Sequence, residues 1–258
     1  MKRGIPIALQ AAGAVLACLV TTLNCSPVRS LVKGHAIRCY YNEDGKLIYR
    51  DTLATSARTY VIRTSQTKTQ MYADYFSRYK DTKIEDSTIA KIVPITKEKA
   101  MQVEKLLEKG NTKDSLVRSN IIPIETPEFF LKIWKWIPDT GKGIDPEKDF
   151  REYGGFIKKN REVTHEKADP IMDACEGNAA IAIDPNGKKI LGFYHTHPSG
   201  EKQNGVCGFT QAPSHGDQNN SHVIYMNYVF GMKSHRVYIL NKEGVHATIP
   251  FCFFLPCD

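Results

Sequence analysis

The run KKILGFYHTH, residues 188–197, is an almost unbroken apolar and aromatic series that ends in two histidines one residue apart. Pro198 and Gly200 interrupt the chain immediately afterwards. Such a run reads as a strand, and strand side chains alternate between faces, so His195 and His197 point to the same side. A fold containing this segment must end a strand there and turn sharply beyond it. Two imidazoles on one side make a metal pincer that needs a third ligand from elsewhere.

Around this segment the sequence mixes strand and helix patterns. AIRCYYNEDGKLIYRD, 36–51, reads as two strands about Asp44-Gly45, a dipeptide that supplies the positive φ of a tight hairpin. RTYVIRT, 58–64, is rich in β-branched and aromatic residues and reads as a third strand. Lys97 to Lys109 is helical: Ala100, Val103, Leu106 and Leu107 share a face, Thr96 caps the start and Gly110 ends it. A second helix begins at Thr126-Pro127-Glu128, and its stripe of Phe130, Ile133, Trp134 and Ile137 reads as core packing rather than a binding face.

PDTGKGIDPEKD, 138–149, concentrates Pro, Gly and charge and marks a boundary. Beyond it lie five strand-like runs: REYGGFIKK, NAAIAID, KKILGFYHTH, RVYILN and GVHATIPFCFF. Pro185-Asn186-Gly187 joins the second and third as a hairpin, and SHGDQNNSHVIYMNYVF, 214–230, reads as one helix. The expected class is α+β: a mixed β-sheet flanked by helices over 146–258, preceded by a smaller α+β region over 27–145.

The first 26 residues differ from the rest. Lys2 and Arg3 precede the uncharged stretch IPIALQAAGAVLACLVTTL, and polar NCSPVRS follows, the tripartite pattern of a secretory signal. A retained anchor is the alternative, since the stretch approaches the roughly 20 residues of a spanning helix. Val15-Leu16-Ala17-Cys18 loosely resembles a lipobox, and Cys25 is a second point for lipid attachment. The expectation is an exported protein, whether periplasmic, outer-membrane lipoprotein or extracellular, with membrane contact only through this N-terminus.

The net charge of +7 is spread along the chain without a block of like charges, which argues against a nucleic-acid partner. Cys39, Cys175, Cys207, Cys252 and Cys257 lie beyond the signal, and an oxidising compartment should pair some of them. Spacing leaves the connectivity open.

For the metal, the third ligand expected is Asp217 in PSHGD, 213–217. Two His and one carboxylate leave a tetrahedral Zn²⁺ an open position for water. Glu152 in REYGGFI is the expected acid/base, and Gly154-Gly155 beside it allow close backbone approach. Ser214 is the candidate donor to a developing oxyanion.

Glu152, then His195-Thr196-His197-Pro198, then Ser214-His215-Gly216-Asp217 resembles the pattern of the JAMM metallopeptidases, also called JAB or MPN-plus. REYGGFI and HTHPSG segments, PSxxD and the tail YVFG...VYILN..GV.ATIP make it most similar to the JAB-like toxin domains of bacterial polymorphic toxins. The resemblance spans about 150–254 and implies a JAMM/cytidine-deaminase-like domain binding one Zn²⁺ through His195, His197 and Asp217. Glu152 would then be the acid/base and Ser214 the oxyanion donor.

The substrate so implied is a protein, an isopeptide-linked protein or a cell-wall peptide, and a cognate inhibitor protein is a further partner. Fifteen residues separate Pro198 from Ser214, longer than the family's common spacing, so 199–213 is expected to loop over the site. The alternative reading is a catalytically inactive binding module of this fold, its metal closed by the loop or by Cys207. His215 and His222 read as solvent-facing, and His35, His165, His235 and His246 show no partner pattern. A zinc nucleobase deaminase would need His-x-Glu with Pro-Cys-x-x-Cys, and neither is present.

Overall fold

The computed structural model describes residues 36–71, 90–143, 151–167, 190–199, 210–221 and 226–256. The expected signal, the run NAAIAID, the hairpin at 185–187 and the segment with Cys207 lie outside these residues. No helix among the described residues is long and apolar enough to cross a membrane.

The described chain is α+β and builds two sheets. In the first, β1 (Ala36–Tyr41) turns into β2 (Leu47–Ala54) at Gly45, whose φ of +73° is the left-handed conformation that the Asp44-Gly45 pair supplies. β3 (Arg58–Ile62) pairs with β1 in parallel, and β4 (Ile121–Ile124) closes the order β2-β1-β3-β4. β4 carries Pro123 and is too short to stand out in the sequence; it lies at the end of its sheet, where a residue without an N–H is tolerated.

Helix α1 (Lys97–Glu108) is capped by Thr96, whose hydroxyl accepts from the Lys99 amide at 3.3 Å. It buries Val103 and Leu107 against Tyr40 and Ile62 on the outer face of this sheet, joined by Val117 of the short α2 (Ser115–Ser119). Helix α3 (Pro127–Trp136), capped by Thr126, buries Phe129, and of the expected stripe Phe130, Ile133 and Ile137 are buried while Trp134 packs against the same core.

The second sheet has the order β10-β9-β8-β7-β5-β6. Its strands are β5 (Tyr153–Lys158), β6 (Glu166–Lys167), β7 (Ile190–His197), β8 (Met226–Gly231), β9 (Arg236–Asn241) and β10 (Gly244–Pro250). The helix expected over 214–230 is corrected: α4 covers only His215–Asn220, and the second half of the segment is β8. Asn219, Asn220 and Ser221 are weak helix residues, whereas MNYVFG is aromatic and β-branched and is buried on both faces between β7 and β9. β7 and β8 run parallel, with His195 beside Val229 and His197 beside Gly231.

One face of the six-stranded sheet, with Ile157, Tyr194, Tyr228 and Phe230, meets Cys39, Tyr41 and Val61 of the first sheet and Phe130 and Ile133 of α3 in a single core. Residues from both sides of the 138–149 segment therefore share it. Phe130 is fully buried at its centre, with ring centroids 5.1 Å from Tyr228, 5.8 Å from Phe253 and 5.8 Å from Phe254. Phe251, Phe253 and Phe254 pack into this core, and Cys39 and Cys252 are each disulfide-bonded.

Gly155 marks the tightest backbone approach: a Cβ there would stand 1.9 Å from the Thr164 carbonyl oxygen. Phe130→Ala is expected to remove about 3–5 kcal/mol of stability, because the cavity opens where both sheets meet. Urea unfolding followed by tryptophan fluorescence checks this, and the loss should appear as one shifted transition.

Candidate metal centre

The opposite face of the six-stranded sheet carries His195 and His197 at the C-terminal end of β7, buried at 4% and 6% exposure. Their placement on one side follows from strand alternation. The parallel pairing of β7 with β8 requires a crossover, and that crossover carries α4. The N-terminal turn of α4 consequently lies over the end of β7. His195 Nε2 stands 3.0 Å from Asp217 Oδ1, His197 Nε2 stands 3.4 Å from Asp217 Oδ2, and the two Nε2 atoms are 3.2 Å apart.

These separations fit a metal. Two donors about 2.0–2.1 Å from a tetrahedral Zn²⁺ stand roughly 3.3–3.4 Å apart, close to all three observed edges. His195, His197 and Asp217 form the one group of three or more metal-capable side chains among the described residues. The Nδ1 atoms of both histidines are buried, and the Thr210 backbone lies against the His197 ring. Phe193, on the same face, lies against His195 with centroids 5.3 Å apart.

Asp217 is oriented from its own helix. Ser214 is the N-cap of α4, and the pair forms a reciprocal capping box. The Ser214 amide and hydroxyl donate to Asp217 Oδ2 at 2.6 and 2.8 Å, and Ser214 Oγ accepts from the Asp217 amide at 3.2 Å. Ser214, expected as an oxyanion donor, here directs its hydroxyl to the carboxylate.

Burial acts on the Asp217 carboxyl in the raising direction, but the neighbouring His195 charge and the hydrogen bonds from both histidines hold it well below the usual carboxylate range. Burial depresses His197, yet its hydrogen bond to Asp217 and the charges of Asp217 and Glu152 leave it raised overall.

Glu152 immediately precedes β5 and is 8% exposed. Gly154 lies opposite His195 in the antiparallel β5–β7 register, and two residues further the same register sets Glu152 opposite His197. The Tyr153 amide donating to Thr196 Oγ1 at 2.9 Å keeps the strands together at this point. Burial raises the Glu152 carboxyl above its ordinary range, His195 and His197 partly offset this, and Asp217 adds to it. A carboxyl so placed holds a proton more readily than a solvated one and lies within electrostatic reach of His195, His197 and Asp217.

Several supporting residues carry no motif signal in the sequence. Gln211 donates to the Pro198 carbonyl at 2.9 Å and accepts from the Lys233 amide at 2.6 Å, tying the turn after β7 to the turn after β8. Asn227 of β8, fully buried, donates to Ser221 Oγ at 2.6 Å, and Ser221 Oγ donates to the Asp217 carbonyl at 2.8 Å. The segment before α1 holds the other side of α4: the Ala90 amide donates to the Pro213 carbonyl at 3.1 Å and the Lys91 amide to Gln218 Oε1 at 2.7 Å. His215 is exposed, as expected.

No protein-family model, no curated protein and no solved structure matches the chain.

Ser214→Ala removes both the helix cap and a donor that orients Asp217. It is expected to weaken zinc binding by about 10- to 100-fold, the usual effect of losing a group that positions a ligand. Competition with a chromogenic chelator measures it directly.

Proposed function

We propose that this chain is an exported zinc-dependent hydrolase of peptide or isopeptide bonds, of the JAMM type, acting as a toxin or effector domain. The observation that carries the reading is the convergence of His195 Nε2, His197 Nε2 and the Asp217 carboxylate at 3.0–3.4 Å, with the buried Glu152 within electrostatic reach of them. The order Glu, His-x-His-Pro, Ser-x-x-Asp in the sequence supports it.

A zinc ion held by the three side chains would supply Lewis acidity towards an amide carbonyl. The chain's own residues do the rest. Asp217, kept ionised by its partners, offers a charged donor beside two imidazoles. Glu152 takes a proton from the attacking water and delivers it to the leaving nitrogen, and its raised affinity for protons suits it to both halves of that transfer. Ser214 keeps Asp217 in its rotamer. The substrate class is a protein, an isopeptide-linked protein or a cell-wall peptide, and a cognate inhibitor protein would cover the same opening. The disulfide-bonded Cys39 and Cys252 support an oxidising, exported setting.

Protein purified without added metal should carry about one zinc per chain, and the His195→Ala, His197→Ala double variant none; elemental analysis decides. Glu152→Gln should keep its zinc and lose about 10²- to 10⁴-fold in turnover on any amide substrate that the wild type cleaves. Full activity in a folded Glu152→Gln protein would overturn the mechanism, and a fourth protein ligand seen by X-ray absorption would overturn turnover itself.

A further inference from the structure

The outer face of the four-stranded sheet is only partly covered. α1 and α2 pack over Tyr40, Ile62 and Ile121, while the opposite end of β1, β2 and β3 carries no helix among the described residues. There a groove of about 500 Å³ is lined by Arg38, Asp51, Leu53, Tyr60, Lys113 and Arg118. Arg38 of β1 stands directly beside Arg58 of β3 in the parallel register. Like charges side by side on a sheet are destabilising unless something offsets them.

Among the described residues, none of Arg38, Lys113 and Arg118 has a carboxylate within ion-pair distance. The Arg38 guanidinium is held by neutral groups, the Ser56 carbonyl at 3.2 Å and Ser56 Oγ at 3.1 Å, which fix its direction, while Asp51 is its partner in the β1–β2 register. Leu53, 73% exposed, is among the most exposed large apolar side chains described, and it lines the same groove.

We infer that this groove binds an acidic, extended segment of a partner protein. Arg38, Lys113 and Arg118 against the single Asp51 give the groove a net positive lining that selects a negative partner. Leu53 offers an apolar contact that a polypeptide side chain can use. β2 ends its sheet among the described residues, so its outer edge can pair with an added strand. A nucleic acid fits less well: the Tyr40 and Tyr60 rings stack on one another, centroids 5.1 Å apart, and Tyr40 is 3% exposed, leaving little aromatic surface for bases. The groove needs no metal at His195, His197 and Asp217, so it stands or falls separately from the hydrolase reading.

The test is fluorescence anisotropy on the full chain. The probe is a labelled twelve-residue peptide of three Glu-Leu-Glu-Ser repeats, and a twelve-nucleotide oligothymidylate is the comparison. The peptide should bind the wild type at about 50 mM salt and weaken as screening increases. The Lys113→Glu, Arg118→Glu double variant, both sites exposed, should lose about tenfold or more in affinity. Arg38→Gln should lose affinity in the same direction. Thermal unfolding at the wild-type midpoint shows that the reversed chain is folded. Absent peptide binding, equal binding by the reversed variant, or tighter binding of the oligothymidylate would each overturn the inference.

Discussion

The geometry of the candidate metal centre depends on one pairing, the parallel alignment of β7 with β8. A hairpin would return the chain along the antiparallel edge and leave the end of β7 without a neighbour from further along the sequence. A parallel pair instead forces a crossover. The short helix α4 sits in that crossover, and its first turn arrives where β7 stops. Three elements then meet at one point: the end of β7 with His195 and His197, the start of α4 with Ser214 and Asp217, and the residue before β5, Glu152. Sites at the carboxyl ends of strands around such crossovers are a general consequence of this connectivity.

Holding a helix of six residues in place takes more than its own hydrogen bonds. Much of what fixes α4 comes from elsewhere in the chain. The capping box secures its start, Asn227 and Ser221 secure its end, and the backbone at Ala90 and Lys91 clamps its flank. That last contact is contributed by the region before 146, which also shares the aromatic core under the sheet. The segment before α1 is thus part of the support of the candidate site, and the groove on the outer face of the first sheet lies on the side turned away from that core.

Much of the candidate site was legible because each of its signals is local. His195 and His197 share a face for the simple reason that strands alternate, and Ser214 and Asp217 are three residues apart, the spacing of a capping box. The hairpin at Gly45 and the caps at Thr96 and Thr126 were readable for the same reason. The segment 214–230 was misread because its apolar residues suit either period once the weak helix formers Asn219, Asn220 and Ser221 are passed over. Only the neighbours β7 and β9, which bury both faces of 226–231, choose strand over helix.

The sequence by itself determined the ligand types, their order and the class of the fold, since alternation, capping and turn chemistry act over a few residues. The tertiary structure decided which of these residues meet. It directed the Ser214 hydroxyl to Asp217, and it gave Gln211 and Asn227 their supporting work through contacts six or more residues away. It also gathered Arg38, Lys113 and Arg118, scattered along a chain with no charged block, around one groove. The physical reason is the same in each case. Hydrogen bonds and charges act through space, and only the pairing of distant strands brings these groups within range.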